Sequence, residues 1–221
     1  MTELTRRHII GATAGLAGAA AIGSLGATPA LAADAPARTW TGSRSANGWE
    51  ILAEAASYGI EGSGRSVRLA GGDAATILLH VARRFHYEID ELRADDVRGH
   101  RTSRKVRESY ESNHLSGTAI EIRRPVYPLG SKGNFYEQEL VVIRDILVEL
   151  DGAVAWGGDF ATPKESHFEI ALKPGHPKIK GVARKIEGWN AGTGREGAGS
   201  VDAFAPDRRE KSRAFARRTA G

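Results

Sequence analysis

The chain has 221 residues, of which 41% are hydrophobic, and this fraction can build a buried core, so a disordered chain is excluded. It contains no cysteine, which excludes disulfides, zinc–thiolate sites and thiol nucleophiles, so any metal must be bound by His, Asp or Glu. The formal net charge is +4, but residues 33–190 hold 22 basic and 22 acidic residues, and such a neutral body argues against a nucleic-acid binder.

Residues 1–32 have the pattern of an export signal. Arg6 and Arg7 precede a mildly apolar, Ala/Gly-rich run that ends in "ALA" at 30–32, a small-residue cleavage pattern. A membrane anchor is the alternative, but a membrane span usually needs ~20 strongly apolar residues. The paired arginines resemble a twin-arginine signal, whose route exports folded proteins. We therefore expect a secreted or cell-wall-associated protein with no stable membrane insertion after cleavage.

Composition divides the rest of the chain into three parts. Residues 33–70 are predicted to be a linker and an N-terminal segment, because 33–48 are rich in Pro, Gly, Ser and Ala. Residues 71–190 are predicted to form the folded domain. Residues 191–221 are predicted to be a flexible basic tail, with only a weak helical pattern at 207–218.

Two amphipathic helices are predicted. Asp73 is expected to cap the first, and the apolar face of that helix holds Ile77, Val81 and Phe85. The second runs from about 137 to 150 and is ended by Gly152.

Two strands are predicted between and after these helices. In "TAIEIR" at 118–123 and "HFEIAL" at 167–172, apolar and polar residues alternate with the period of a half-buried strand. "VAWGG" at 154–158 indicates another short strand. Helices that alternate with such strands predict an α+β fold with a small antiparallel sheet flanked by helices, and a mixed α/β fold is the alternative.

The polar faces of the two strands carry candidate metal ligands. His114 lies in the turn that enters the first strand, and Glu121 and His167 lie on the polar faces. Two imidazoles and one carboxylate form the ligand set of a catalytic zinc, which keeps a fourth position for water. Hydrolysis would also need a carboxylate that transfers a proton, and Asp159 and Glu165 are the nearest in sequence. The alternative is a polar strand face that is merely solvated, and spacing alone does not choose between the two.

Three motifs resemble those of a peptidase family. "SNHLSGTAIEI" at 112–122 is similar to the S-x-H-x-x-G-x-A-x-D signature of the D-alanyl-D-alanine carboxypeptidase group of zinc peptidases. "WGGDF" at 156–160 and "ESHFEI" at 165–170 resemble its second motif, W-G-G-D-W leading to D/E-x-x-H-F/W. "RGHR" at 98–101 resembles its G-Y-R segment. The group includes the vancomycin-resistance D,D-peptidases and the L-alanyl-D-glutamate endolysins, and it shares a fold core with the Hedgehog signalling domain.

The resemblance covers roughly residues 75–175 and implies a Hedgehog/DD-peptidase-like fold that binds Zn²⁺. The implied zinc ligands are His114, Glu121 and His167. Arg101 would stabilise the oxyanion that develops during hydrolysis, and Asp159 would have a structural or orienting role.

The chain departs from the family pattern at two positions. The family usually has Asp where this chain has Glu121, which extends the carboxylate by one methylene group. The family's general base lies three residues before the second histidine, where this chain has Lys164, whereas Glu165 lies two before it. Glu165 is expected to transfer the proton if the preceding loop is one residue shorter than usual.

The predicted function is a secreted zinc metallopeptidase, a monomer, that hydrolyses peptide bonds in peptidoglycan stem peptides and binds no nucleic acid. Its catalytic residues would be Glu165 and Arg101. The alternative is a catalytically weakened cell-wall-binding module of the same fold. Of the remaining histidines, His80 and His86 are expected to be packed or on the surface, and His100 to line the cleft.

Overall fold

The computed structural model describes residues 36–191 and 202–219, so the predicted signal peptide at 1–32 lies outside the described residues. The described chain combines helices with small antiparallel sheets, which confirms the predicted α+β class. The α-helices are α1 (Asp73–Glu88), α2 (Glu137–Glu149), α3 (Pro177–Ala191) and α4 (Pro206–Thr219). Two 3-10 helices span Ser109–His114 and Gly157–Asp159.

The strands are β1 (Arg38–Thr39), β2 (Ala56–Ile60), β3 (Arg65–Leu69), β4 (Val97–Arg98), β5 (Lys105–Val106), β6 (Ala119–Ile122), β7 (Val154–Trp156) and β8 (His167–Ile170). The central sheet has the order β4-β6-β8-β7, and all of its neighbours are antiparallel. β2 pairs with β3 as a hairpin, and β1 pairs with β5. The predicted strands at 118–123, 154–158 and 167–172 therefore lie side by side in one sheet.

Helix α1 packs its apolar face against the central sheet. Ile77, Val81 and Phe85 are fully buried, as the periodicity predicts. The N-cap, however, is Gly72, with φ of 72° and no side-chain cap, so the prediction that Asp73 caps the helix is wrong. Asp73 instead lies in the first turn, where its carboxylate is favourable near the positive end of the helix dipole.

Both faces of the central strands are buried, although the alternation predicted strands with one exposed face. Ile120, Ile122 and Phe168 belong to the hydrophobic core that α1 covers. The opposite face carries Glu121 and His167, and these side chains are also buried. The polar face is covered because the 3-10 helix Ser109–His114 packs on β6. A polar strand face enclosed in this way needs internal partners for its charges.

The segment that the composition predicts to be a linker packs on the domain. Asn47 donates its side-chain amide to Thr118 Oγ1 and to the Ile170 carbonyl oxygen, at 2.8 and 2.9 Å. Ser45 is buried, and the Trp49 indole donates to the Leu172 carbonyl oxygen. These contacts come from polar side chains, which is why composition alone could not reveal them.

The C-terminal region also differs from the predicted flexible tail, since α4 packs against α2. Its Arg208 guanidinium donates to Asp145 at 2.7 and 2.8 Å and to Glu149 at 3.2 Å. These residues join a buried ionic group, called here the Arg84 cluster, which consists of His80, Arg84, Asp145, Glu149 and Arg208. Residues 192–201 lie outside the described residues. None of the described helices is both long and apolar enough to span a bilayer.

Candidate metal centre

The first motif forms a tight turn that presents His114 to the polar face of the sheet. His114 ends a 3-10 helix, and its carbonyl oxygen accepts hydrogen bonds from the backbone of Arg101 and Gly117. Gly117 has φ of 67°, and a Cβ at this position would collide with the Ala70 backbone, whose N–H donates to the Gly117 carbonyl oxygen. Glycine is required here because the turn combines a left-handed conformation with close backbone packing.

The N-terminal segment fixes the same motif from the other side. The Ala46 N–H donates to Ser112 Oγ at 2.8 Å, and the Asn47 N–H donates to Asn113 Oδ1 at 3.0 Å. The residues just before His114 are therefore held by main-chain groups from a segment more than 60 positions away.

Strand register brings the second and third ligands together. Glu121 on β6 is the direct antiparallel partner of His167 on β8 and, on its other side, of Arg98 on β4. Directly paired residues point to the same face of a sheet, with Cβ atoms about 4.5–5.5 Å apart. Arg98, Glu121 and His167 consequently form one row across three strands.

The three predicted metal ligands converge. His114, Glu121 and His167 are buried, and each offers one ligand atom within 4.8 Å of the others. His114 Nε2 lies 3.5 Å from Glu121 Oε1, and the two imidazole centroids lie 5.2 Å apart. This group, called here the metal cluster, could hold a metal ion.

The hydrogen bonds of the two imidazoles decide which nitrogen atoms are left to bind a metal. His114 Nδ1 lies 2.9 Å from the Gly99 carbonyl oxygen, so Nδ1 must carry the proton. His167 Nε2 lies 2.7 Å from Glu169 Oε2 and must donate to that carboxylate. The remaining nitrogen atoms, His114 Nε2 and His167 Nδ1, are buried and have no hydrogen-bond partner among the described residues. In the neutral rings both carry lone pairs, which is the form of imidazole that binds a metal.

Glu169 is a functional residue that the sequence analysis did not assign. Its carboxylate accepts from His167 and from the Asn113 side-chain amide, the latter at 2.7 Å. A carboxylate behind a metal-binding histidine fixes the ring orientation and raises the basicity of the ligand. The signal was its position two residues after His167, on the same face of the strand.

Burial and charge set the protonation states of the cluster. Complete burial lowers the pKa of His167, against the opposing effect of Glu169, and keeps the ring neutral. Burial alone would raise the pKa of Glu121, but His114 and the Lys164 ammonium outweigh it and hold that pKa well below its usual value. A neutral His167 ring and an ionised Glu121 carboxylate are the states that metal ligation requires.

Lys164 also belongs to the site. Its ammonium forms ion pairs with Glu121 Oε1 and, at 2.5 Å, with Glu111 Oε1, and the residue is only 4% exposed. Burial would raise the pKa of Glu111, but Lys164 and the backbone N–H groups of Arg107 and Glu108 lower it.

Glu165 does not reach the cluster. Its carboxylate accepts hydrogen bonds from the backbone N–H groups of Gly133 and Asn134 and from the Asn134 side chain, at 2.8–3.0 Å. The predicted role of Glu165 in proton transfer is inconsistent with this placement, because Lys164 and Glu165 lie in a turn, closed by the hydrogen bond from the His167 N–H to the Lys164 carbonyl oxygen, and their side chains have different partners. Lys164 faces the cluster, whereas Glu165 stabilises a loop.

Arg101 lines the cleft, but its guanidinium is held by the chain. It donates to the carbonyl oxygens of Ser103, Lys105 and Glu111, at 3.1, 2.6 and 3.3 Å. Its three carbonyl partners give Arg101 a structural function, and its predicted role at the oxyanion stays a prediction. Asp159 lies outside the cluster and forms a two-pronged ion pair with Arg144.

The metal cluster borders an open cleft of about 1000 Å³. His114, Glu121, Glu111 and Lys164 line it. Further cationic side chains in its wall are Arg68, Arg98, Arg101, Lys105, Arg107 and Arg124. The cleft therefore favours substrates that carry negative charge or develop it during reaction.

The other histidines in the described part of the chain have partners outside the metal cluster. His80 donates to Glu149 at 2.8 Å within the Arg84 cluster, and His86 Nδ1 accepts from the Leu92 N–H. His100 lines the cleft, as predicted, and contacts the Leu52 carbonyl oxygen at 3.0 Å. His176 lies in an exposed loop.

Comparison with known proteins gives no relatives: no protein-family model matches the chain, and neither a curated protein nor a solved structure matches it significantly.

Proposed function

We propose that this chain is an exported zinc-dependent metallopeptidase with a Hedgehog/DD-peptidase-like fold, which hydrolyses peptide bonds in peptidoglycan stem peptides. The observation that carries the proposal is the convergence of His114, Glu121 and His167, together with one buried nitrogen atom on each imidazole that has no hydrogen-bond partner among the described residues. When bound, zinc would supply a polarised water and a Lewis acid for the peptide carbonyl group.

Two histidine–acceptor contacts prepare the ligands. The Gly99 carbonyl oxygen and the Glu169 carboxylate fix the His114 and His167 tautomers before any metal arrives. Tyr110 and Phe160 flank the His167 ring, with centroids 5.0 and 6.0 Å away, and limit its rotation.

The cleft offers the remaining groups that hydrolysis needs. Its volume of about 1000 Å³ suits a short peptide. Arg98, beside Glu121 in the strand register, and Arg101 supply positive charge for the carbonyl oxygen as it becomes negative. Glu111 replaces Glu165 as the candidate for proton transfer, because it lines the cleft and is not among the ligands.

A second candidate function, a wall-binding module with little turnover, is favoured by one specific observation. Lys164 stands where the family pattern has its base, and it pairs with Glu111. The lowered pKa of Glu111 makes this carboxylate a weak proton acceptor. A metal centre with its protein ligands in place but with a poor general base would bind its peptide and cleave it slowly.

Elemental analysis and a hydrolysis assay separate the two functions. The purified chain is measured for zinc content and incubated with peptidoglycan stem peptides, beside His114→Ala and Glu111→Gln. Zinc near one per chain, with cleavage that both variants lose, supports the peptidase. Zinc without cleavage supports the binding module. No zinc in the unmodified chain would reject both metal-based functions in favour of a solvated polar strand face.

A further inference from the structure

We propose that Lys164 is an internal competitor of the metal, whose ammonium occupies Glu121 and weakens the affinity of the cluster for a dication. This inference rests on the proposed metal-dependent function. Lys164 is positively charged, whereas the resembled family has a carboxylate as the base at this position. The proposed effect is on metal affinity and precedes any catalytic step.

Lys164 and His114 lie beside the same oxygen atom of Glu121. The Glu121 oxygen nearest to His114 Nε2 is Oε1, at 3.5 Å, and the same oxygen pairs with Lys164 Nζ. A metal between the imidazoles and this carboxylate must take the oxygen from the ammonium or share it. In either case the Lys164–Glu121 ion pair weakens when the metal binds.

Lys164 is the buried cation that pairs with both Glu111 and Glu121, whereas the Arg124 guanidinium reaches Glu121 Oε2 from an exposed position, at 3.8 Å. Loss of the lysine would leave these two buried carboxylates with less positive charge beside them, which favours a dication. A buried charge is costly unless it is compensated, and Lys164 provides part of that compensation when no metal is present.

Backbone hydrogen bonds hold the main chain of Lys164 in place beside the metal cluster. Its N–H donates to the Gly157 carbonyl oxygen at 2.9 Å, and its own carbonyl oxygen accepts from the His167 N–H at 2.9 Å. A Cβ on Gly157 would collide with that carbonyl oxygen, so the two segments are in close backbone contact. Only the side chain can move, and it is already buried between its two carboxylates.

Zinc affinity measured by titration calorimetry tests the inference. Metal-stripped full chain is titrated with Zn²⁺ beside Lys164→Met, Lys164→Arg and Glu111→Gln. Lys164→Met should bind zinc about 10- to 100-fold more tightly, the range by which groups around metal ligands change affinity. Lys164→Arg keeps the charge and should stay near the unmodified affinity. In Glu111→Gln, Glu121 is left as the carboxylate partner of Lys164, so the variant should bind zinc about 10-fold more weakly.

Lys105→Met is the matched control, because Lys105 also lines the cleft but is exposed. The zinc affinity of Lys105→Met should change little. This result would distinguish direct competition for Glu121 from the electrostatic potential of the whole cleft. Far-UV circular dichroism checks that each variant is folded, and Glu111→Gln keeps the test decisive if Lys164→Met does not fold.

The outcomes separate this inference from the proposed function. If the unmodified chain binds zinc and Lys164→Met binds it equally or less tightly, the competition is rejected and the metal centre stands. If neither the unmodified chain nor any variant binds zinc, the proposed function is rejected and the competition with it.

Discussion

The metal cluster and the Arg84 cluster are both buried, and both combine histidine with carboxylates, yet they are partnered differently. In the Arg84 cluster, His80 contacts Glu149 through Nε2 and Arg83 through Nδ1, at 2.8 and 3.4 Å. The Arg84 guanidinium donates to Glu88, Asp145 and Glu149. In the metal cluster, one nitrogen of each imidazole has no hydrogen-bond partner among the described residues.

The difference separates a cluster whose groups are satisfied within the chain from one that could hold a metal ion. Burial, histidine and charge occur in both, so none of them identifies a site. Unpartnered buried nitrogen atoms beside an open cleft occur in the metal cluster, where a ligand can satisfy them. Zinc affinity and stability, measured after single substitutions, should therefore respond differently in the two clusters.

Arg84→Met should have the largest effect on stability. It removes the fully buried cation that pairs with Asp145 and Glu149 and leaves them the half-buried Arg208, and breaking a buried ion pair typically costs about 3–5 kcal/mol. Urea unfolding should show this loss, while zinc affinity, measured where the variant is folded, stays unchanged. Arg144→Ala is the control, because its ion pair with Asp159 is partly exposed and should contribute about 0–1 kcal/mol.

Acid should weaken the Arg84 cluster through Glu149. Burial alone would raise the pKa of Glu149, but His80, Arg84 and Arg208 lower it from 4.5 to about 2. Between these values the unfolded chain binds a proton that the folded chain does not, so stability falls as the pH drops from about 4.5 to about 2. The loss is about 3 kcal/mol at 1.36 kcal/mol per pH unit. Unfolding measured across this window should be less pH-dependent in Glu149→Gln.

His114→Ala should abolish zinc binding, whereas His80→Ala should leave it intact. Both histidines are buried, so the pair controls for the loss of a packed ring. Loss of a ligand should weaken zinc binding at least 100-fold, or about 2.7 kcal/mol. Equal zinc affinity in the two variants would contradict the distinction between the clusters.

Glu165→Gln should have the smallest effect. It replaces a carboxylate that accepts three hydrogen bonds in the loop at 133–134, so stability should fall by about 1 kcal/mol. Zinc affinity and any hydrolysis at saturating substrate should match those of the unmodified chain. A selective loss of turnover at unchanged stability would restore Glu165 to the catalytic role that the sequence suggested.

The strand pattern predicted the ligands, because alternation fixes the face of every residue once a strand is recognised. Glu121 and His167 fell on one face by that rule, and the register pairs them directly. The neighbouring loop has no such period, so the pattern could not decide between Lys164 and Glu165. In the structure the two residues lie in a turn, in which Lys164 pairs with Glu121 and Glu165 accepts hydrogen bonds from Gly133 and Asn134.

Other features depend on partners far apart in the sequence. Arg84 is fully buried on a helix whose apolar face was predicted, but its partner Asp145 lies 61 positions away. The docking of α4 depends on Arg208, within a segment whose composition resembles a solvated tail. No local pattern records such pairings, because they arise from tertiary packing.

The hydrogen bonds from Ala46 and Asn47 to Ser112 and Asn113 have a consequence for processing of the chain. An aminopeptidase that trimmed a secreted form past residue 47 would remove the main-chain donors that hold the turn before His114. We expect such trimming to release zinc before it unfolds the domain, since the apolar core begins at Ile60. The N-terminal stretch would then determine how long a secreted form keeps its zinc in the presence of extracellular proteases. Mass spectrometry of aged, partly inactive samples would show whether zinc loss coincides with trimming to this point.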